Sequence, residues 1–355
     1  MYKKRKPEPF MNKSEEIFQI LKQRLEEGFY PPGKNFPSGS DLADEFSVNK
    51  MTMNKIVSLL VQEQYLLRGT RGAGTRVKDL IRRSKGSIAF LSPLTPYAVR
   101  VLQGAYIEAC RHNYTLIVES PHVEDLQPRL DLLCGSGVKG VVSVAYGVPV
   151  LPGEMILACV DCDPRTVPPG RKVFFINSDN QQGGRRMMEE IFRRGHREIL
   201  LYSTQLTLEQ ARKSASARIR SFHEVMKANG VSDCKKRTFS GRADSAADAR
   251  EFLLQALNAY PQTTLIAADS DPGAAQIHRA ALELGIPCPG KIALTGFGEV
   301  TTLPIASVNQ NPERQGELAV RTLIQSLDKW EEPSPRSMIR VETSLTNVEQ
   351  IPILL

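Results

Sequence analysis

Residues 38–54, Ser38-Gly39-Ser40-Asp41-Leu42-Ala43-Asp44-Glu45-Phe46-Ser47-Val48-Asn49-Lys50-Met51-Thr52-Met53-Asn54, carry the signals of two short helices and the turn between them. Ser38 is a good N-cap, and Asp41 three residues on completes a capping-box pattern, in which hydroxyl and carboxylate each satisfy a backbone N–H. The first helix ends near Phe46. Ser47-Val48-Asn49 makes a tight turn, and Asn49 can cap a second helix running to about Glu63. Along that helix Met53, Ile56, Val57 and Leu60 recur at i, i+3, i+4 and i+7 and are expected to pack inward. Lys50, Met51, Asn54 and Lys55 fall on its other sides, near its start. Two such helices, the second presenting Lys and Asn at its N-terminal end, form the helix-turn-helix pattern whose second helix enters the major groove of DNA.

The flanks complete a small unit. Upstream, Ile17, Ile20, Leu21 and Leu25 predict a helix from about Ser14 to Glu27, stopped by Gly28. Downstream, Tyr65 to Val77 reads as two short strands around a basic, glycine-rich loop, Arg68-Gly69-Thr70-Arg71-Gly72-Ala73-Gly74. Glycine lets such a wing approach a phosphate backbone or minor groove closely, and Arg71 supplies charge. The charge distribution agrees. Residues 1–85 hold 17 Lys and Arg against 10 Asp and Glu, whereas the other 270 residues hold 29 of each, so the whole excess of +7 lies in the first quarter of the chain. Charge alone would also fit an RNA-binding or membrane-surface tail; the helix-turn-helix pattern favours a DNA-binding head.

From Gly86 onward the pattern changes to alternating strands and helices. Strands are expected at Ser87–Leu91, Tyr114–Glu119, Gly140–Val144, Met155–Val160, Lys172–Ile176, Glu198–Tyr202, Thr264–Ala268 and Ile292–Gly296. Helices are expected over Tyr97–His112, up to Cys134, over Gln181–Arg194 and Ala211–Asn229, and ending at Gly285. This is an α/β pattern with mainly parallel sheets, long enough for two lobes with a ligand cleft at the strand carboxyl ends. The expected domains are therefore 1–78, a linker 79–86, and 87–355. No apolar run reaches the roughly 18 residues of a membrane span, and the basic start lacks a signal-peptide core, so the expectation is a cytoplasmic protein with no membrane partner. Six scattered cysteines fit a reducing compartment. Cys159 and Cys162 have CxxC spacing, but without a second pair or a His cluster they are read as neither a zinc nor a redox site.

The N-terminal unit resembles the GntR family of bacterial repressors, whose signature is Leu-Pro-Ser-Glu-Arg-x-Leu-Ala, Ser-Arg-x-Thr-Val-Arg and a Gly-x-Gly-Thr wing. Here these are Phe36-Pro37-Ser38-Gly39-Ser40-Asp41-Leu42-Ala43, Asn49-Lys50-Met51-Thr52-Met53-Asn54 and Gly72-Ala73-Gly74-Thr75. The resemblance implies a winged helix-turn-helix that contacts double-stranded DNA through Ser38, Lys50, Thr52, Asn54, Arg71 and Gly72. The departures fall on contact positions: Lys50 and Asn54 replace arginines, and Gly39 and Ser40 replace charged residues, so the family's operator preference does not carry over.

The large unit is similar to the effector domain of LacI/GalR repressors, a periplasmic-binding-protein-like fold. Pro96-Tyr97, Gly104, Val160-Asp161, Asp179-Asn180-Gln181-Gln182-Gly183, Gly195-His196-Arg197-Glu198-Ile199, Arg218 with Phe222, and Gly296-Phe297 carry the similarity. The fusion resembles the arabinose-repressor type of architecture. It implies a homodimeric, ligand-responsive repressor that senses a small, sugar-like effector with Tyr97, Asp161, Arg218 and Asp271. Ser270 and Gly298-Glu299 replace an Asn and an Asp-Asp of the family pattern, so either Asp269 and Glu299 compensate or the ligand is not a typical hexose. Plainer roles stand beside these: Arg218 as a surface ion-pair residue, Asp161 as a strand-end cap, Tyr97 as core, Asp179 as an N-cap, His196 as structural. No catalytic or metal residues and no cofactor are expected, since no GxSxG, P-loop, HExxH or dinucleotide fingerprint occurs. The alternative is a solute-binding sensor whose winged helix contacts protein rather than DNA.

Overall fold

The computed structural model describes residues 13–26, 28–69, 74–78, 84–146, 149–162, 173–204, 213–329 and 338–354. The chain divides into two compact units, residues 1–84 and 85–355. The first contains α1 (Lys13–Glu26), α2 (Gly39–Glu45), α3 (Lys50–Gln62) and an antiparallel pair, β1 (Leu66–Arg68) and β2 (Thr75–Val77). Local chemistry sets these limits. Ser38 Oγ accepts from Asp41 N–H at 3.2 Å while the Asp41 carboxylate accepts from Ser38 N–H at 3.3 Å, and Asn49 Oδ1 accepts from Thr52 N–H at 2.7 Å. Met53, Ile56, Val57 and Leu60 are buried, as their spacing predicts, and join Ile17, Leu21, Leu42 and Leu66 in one core. The linker expected at 79–86 falls mostly outside the described residues, and Gly86 already belongs to the next strand.

The second unit has two lobes. The chain first lays down β3 (Gly86–Leu91), α4 (Pro96–Arg111), β4 (Tyr114–Glu119), α5 (Leu126–Gly135), β5 (Gly140–Val144), β6 (Ile156–Val160) and β7 (Val173–Ser178). It then builds the other lobe with α6 (Asn180–Arg193), β8 (Ile199–Ser203), α7 (Lys213–Ala228), β9 (Thr238–Ser240), α8 (Ala246–Ala259), β10 (Leu265–Ala268), α9 (Asp271–Glu283), β11 (Ala293–Thr295) and β12 (Ser307–Asn309). It returns through α10 (Pro312–Lys329) and β13 (Met338–Val341), and β14 (Ser344–Thr346) pairs antiparallel with β12. The first sheet runs β13-β7-β6-β5-β3-β4 and the second β11-β10-β8-β9, all parallel. β5, β6 and β8 are buried at every position, which is why they read as nearly continuous apolar runs rather than alternating ones.

The expected α/β class with mainly parallel sheets is what the chain adopts. Among the described residues, six strands and α-helices have no counterpart among the expected ones: β9, α8, β12, α10, β13 and β14. Of these α10 matters most. It packs along α4 with backbones in close approach: a Cβ on Gly104 would lie 1.8 Å from the Glu313 carbonyl oxygen, and one on Gly316 would lie 1.9 Å from that of Val101. Two glycines facing each other across the helix pair therefore set its spacing.

Candidate functional site

Two sites follow from the two units. On the head, burial of one face of α3 leaves Lys50, Met51, Asn54, Lys55, Ser58 and Leu59 exposed along the other. Ser58 Oγ donates to the Asn54 carbonyl at 2.7 Å and accepts from Arg68 Nη2 at 2.5 Å, tying the wing strand β1 to the helix. Lys50 and Asn54 thus lie on the open face, as their spacing predicts. Thr52 is half-buried, with its N–H held by the Asn49 cap, and Ser38 is occupied in capping α2. Arg71 and Gly72 lie outside the described residues. Met51, read in the sequence only as lying off the core, and Leu59, two turns further on, are the apolar members of this otherwise polar and basic patch, Met51 being the more exposed.

In the large unit the candidate ligand residues come from strand and helix ends of both lobes. Tyr97 opens α4, capped by Thr95; Asp161 follows β6 in a left-handed conformation, φ 57°; Arg218 lies on α7; Asp271 begins α9 after β10. The carboxyl ends of parallel strands are where α/β sheets bind ligands, because loops and helix starts converge there. Arg218 is the centre. Its Nε donates to Asn180 Oδ1 at 2.8 Å, its Nη1 donates to the Asp269 carbonyl at 2.8 Å, and its guanidinium lies 4.0 Å from the Phe297 ring centroid. Burial pulls the guanidinium below its ordinary pKa, opposed by the neighbouring charges of Asp161 and Asp269, then Tyr97 and Asp271. Tyr97 is pushed well above its ordinary value by burial and by Asp161, with Arg218 acting the other way. The structure therefore brings Tyr97, Asp161, Arg218 and Asp271 into one electrostatic neighbourhood.

Their free chemistry differs. The Asp271 carboxylate accepts from Ser307 Oγ at 2.7 Å and Val300 N–H at 2.6 Å, and from the Thr301 N–H. It pins the loop after β11. Asp269 is likewise engaged, by Ser203 Oγ at 3.0 Å, Thr204 Oγ1 at 2.8 Å and Thr204 N–H at 3.0 Å. Burial pushes both acids up, against these hydrogen bonds. Glu299, considered as a compensating acceptor, instead faces Arg100, which also holds Glu313 at 2.6 Å. Arg218 is 6% exposed, so it is not a surface ion-pair residue.

A second set of residues, not read from the sequence, ties this cluster to the strands joining the lobes. Tyr97 Oη donates to Gln315 Oε1 at 2.9 Å; Gln315 Nε2 donates to Ser178 Oγ at 2.9 Å and to the Gln310 carbonyl at 2.8 Å; Gln310 Nε2 reaches Asn180 Oδ1 at 3.4 Å, which also accepts from Arg218. Asn180 stood in the quoted Asp-Asn-Gln-Gln-Gly motif. Gln310 and Gln315 gave no signal, because their placement depends on α10. Cys159 and Cys162, read as two thiols without a role, are joined by a disulfide that brackets Asp161. His196 is buried between Thr264 Oγ1 and the Pro352 carbonyl, in keeping with a structural role.

Residues 13–77 match the bacterial regulatory proteins of the gntR family, and residues 188–347 match the periplasmic binding protein-like domain. The HTH-type transcriptional regulator GntR of Escherichia coli K12 is 23% identical over 327 residues, covering 82% of this chain and 92% of that protein. Among solved structures, a regulatory protein of the LacI family from Chloroflexus aggregans aligns with a TM-score of 0.59 at 19% identity, over 73% of this chain and 96% of that one. A LacI-family regulator from Enterococcus faecium with bound ribose aligns with a TM-score of 0.59 at 15% identity, over 73% and 96%. At these identities the structural likeness speaks to the fold.

Proposed function

We propose how a transcription regulator of this make-up, a gntR-type winged helix-turn-helix joined to a periplasmic-binding-protein-like effector domain, reads its two partners. The head binds operator DNA with α3 in the major groove and the basic wing against the backbone or minor groove. The large unit takes a small polar effector, a sugar or sugar derivative, between its lobes at Tyr97, Asp161 and Arg218, with Asp271 and Asp269 holding the surrounding loops. The chain acts in the cytoplasm as a homodimeric repressor on paired half-sites.

The observation that carries the effector site is the hydrogen-bond chain that joins Arg218 of the second lobe to Tyr97 of the first through Asn180, Gln310 and Gln315. A ligand touching both sides favours the closed arrangement of the lobes, and only that preference can shift DNA affinity. The ribose held by the Enterococcus faecium relative supports a sugar-like ligand. Coupling energies of about 1–3 kcal/mol change operator affinity by about 5- to 150-fold.

The test uses the full-length protein. Neutral sugars, sugar acids and nucleosides are screened for a rise in melting temperature, and each hit is titrated into an anisotropy measurement on duplex DNA from upstream of the protein's own gene. At least one hit should change DNA affinity, and Asp161→Asn should weaken its binding. Effector binding unaffected by Asp161→Asn overturns the site; absence of DNA binding at low salt overturns the head's role.

A further inference from the structure

The exposed face of α3 carries chemistry specific enough to name the bases it reads. We propose, on the footing that the head binds DNA, that Met51 and Asn54 read A·T base pairs, Met51 against a thymine methyl and Asn54 on adenine, and that Gly39 is the residue that lets Asn54 do so.

Met51 is 72% exposed, and it sits in the first turn of α3, where a recognition helix meets base edges. A large apolar side chain left in water at that point needs an apolar partner, and the thymine 5-methyl is the apolar group that the major groove offers. Asn54 lies three residues on, one turn further along the same face. Its carboxamide matches the adjacent acceptor and donor of adenine, N7 and the 6-amino group. Lys50 and Lys55 flank the pair, and Arg68 and Arg76 are exposed on the wing strands, so the surroundings suit a polyanion. Lysine and arginine at these positions hold phosphate, while Met51 and Asn54 face the bases.

Gly39 enters through geometry. A Cβ built on it would lie 2.7 Å from Asn54 Oδ1, so the missing side chain is what makes room for the carboxamide. In the signature that the head resembles, these two positions carry an acid and an arginine. Here both have changed, and the structure brings them into contact. Gly39 is thus a positioning residue for base readout, acting through Asn54.

The experiment selects duplexes from a random library with full-length protein, then replaces single bases in the selected site. Deoxyuridine for thymidine removes the methyl group, and 7-deazaadenine removes N7. Loss of the methyl contact should weaken native binding about fourfold and leave Met51→Ala unchanged by the same replacement. The 7-deazaadenine replacement should cost the native protein about 5- to 150-fold and leave Asn54→Ala unchanged. Gly39→Ala, whose Cβ alone meets Asn54 Oδ1 at 2.7 Å, should keep its melting temperature and its binding to unselected DNA while losing the adenine preference. Selected sites with G·C at these positions, or analogue effects equal in native and variant proteins, overturn the proposal while leaving DNA binding intact. No binding to any duplex at low salt overturns both.

Discussion

Arg218 both belongs to the candidate effector site and supports the fold. Its guanidinium satisfies Asn180 Oδ1 and the Asp269 carbonyl and lies over Phe297, all within a region closed to solvent. Removing it strands the Asp269 carbonyl and leaves Asn180 Oδ1 with only Gln310 Nε2 at 3.4 Å, and each lost hydrogen bond to a charged group costs about 1.5–3 kcal/mol. Arg218→Ala is therefore expected to lower the urea midpoint of the large unit substantially as well as to abolish effector response. Asp161→Asn separates the two roles: its left-handed backbone suits Asn equally well, so stability should change by under about 1 kcal/mol while effector affinity falls at least tenfold. Equal stability losses in the two variants would remove the distinction.

Helix pairing is where local sequence meets the site. Gly316 allows α10 to rest against the Val101 carbonyl, and its neighbours Gln315 and Glu313 hold Tyr97 and Arg100. Because the obstruction is backbone, Gly316→Ala must push the helices apart, at the upper end of the roughly 1–3 kcal/mol of overpacking. Effector affinity should fall with it, since Tyr97 loses its anchor; a stable variant with native affinity would refute the close contact. The same helix pair contains Glu108, 1% exposed, with Arg321 at 2.7 Å and Arg111 at 3.2 Å. Burial works to raise this acid, but hydrogen bonds from Arg321 and Arg111 hold it below the ordinary 4.5. A depressed acid contributes stability that is present above about pH 4.5 and lost as pH falls through its folded-state value. Glu108→Gln should cost about 1–3 kcal/mol at neutral pH, less than a fully buried pair because both arginines reach solvent. Its stability should also decline less than that of the native protein between pH 5 and 3, as followed by thermal unfolding.

Charge segregation is a property of the whole chain. With 29 acids balancing 29 bases in residues 86–355, the attraction to DNA must come from the first 85 residues. Operator affinity should fall linearly on a log–log plot against salt, and Lys50→Ala or Lys55→Ala should each reduce the slope by about 1 if that residue meets a phosphate. A chain shortened to residues 86–355 should not bind DNA yet should keep effector binding. Retention of DNA binding by that shorter chain would relocate the interface.

What the amino-acid sequence determined by itself was short-range. Capping at Ser38 and Asn49, the inward stripe of Met53, Ile56, Val57 and Leu60, and the apolar runs of β3, β5, β6 and β10 were legible because each depends on neighbours within a few residues. Family motifs named Tyr97, Asp161, Arg218 and Asp271 as candidates for the effector site. Only the tertiary structure decided the rest. Strand β13 lies beside β7 although the whole second lobe intervenes in sequence, and α10 returns to pack on α4, because parallel pairing and glycine-to-backbone contact join residues far apart in the chain. The same distance hid Gln310 and Gln315 and gave Asp271 and Glu299 protein partners. A carboxylate in a sequence shows its charge, but which donor reaches it depends on how the chain has closed around it.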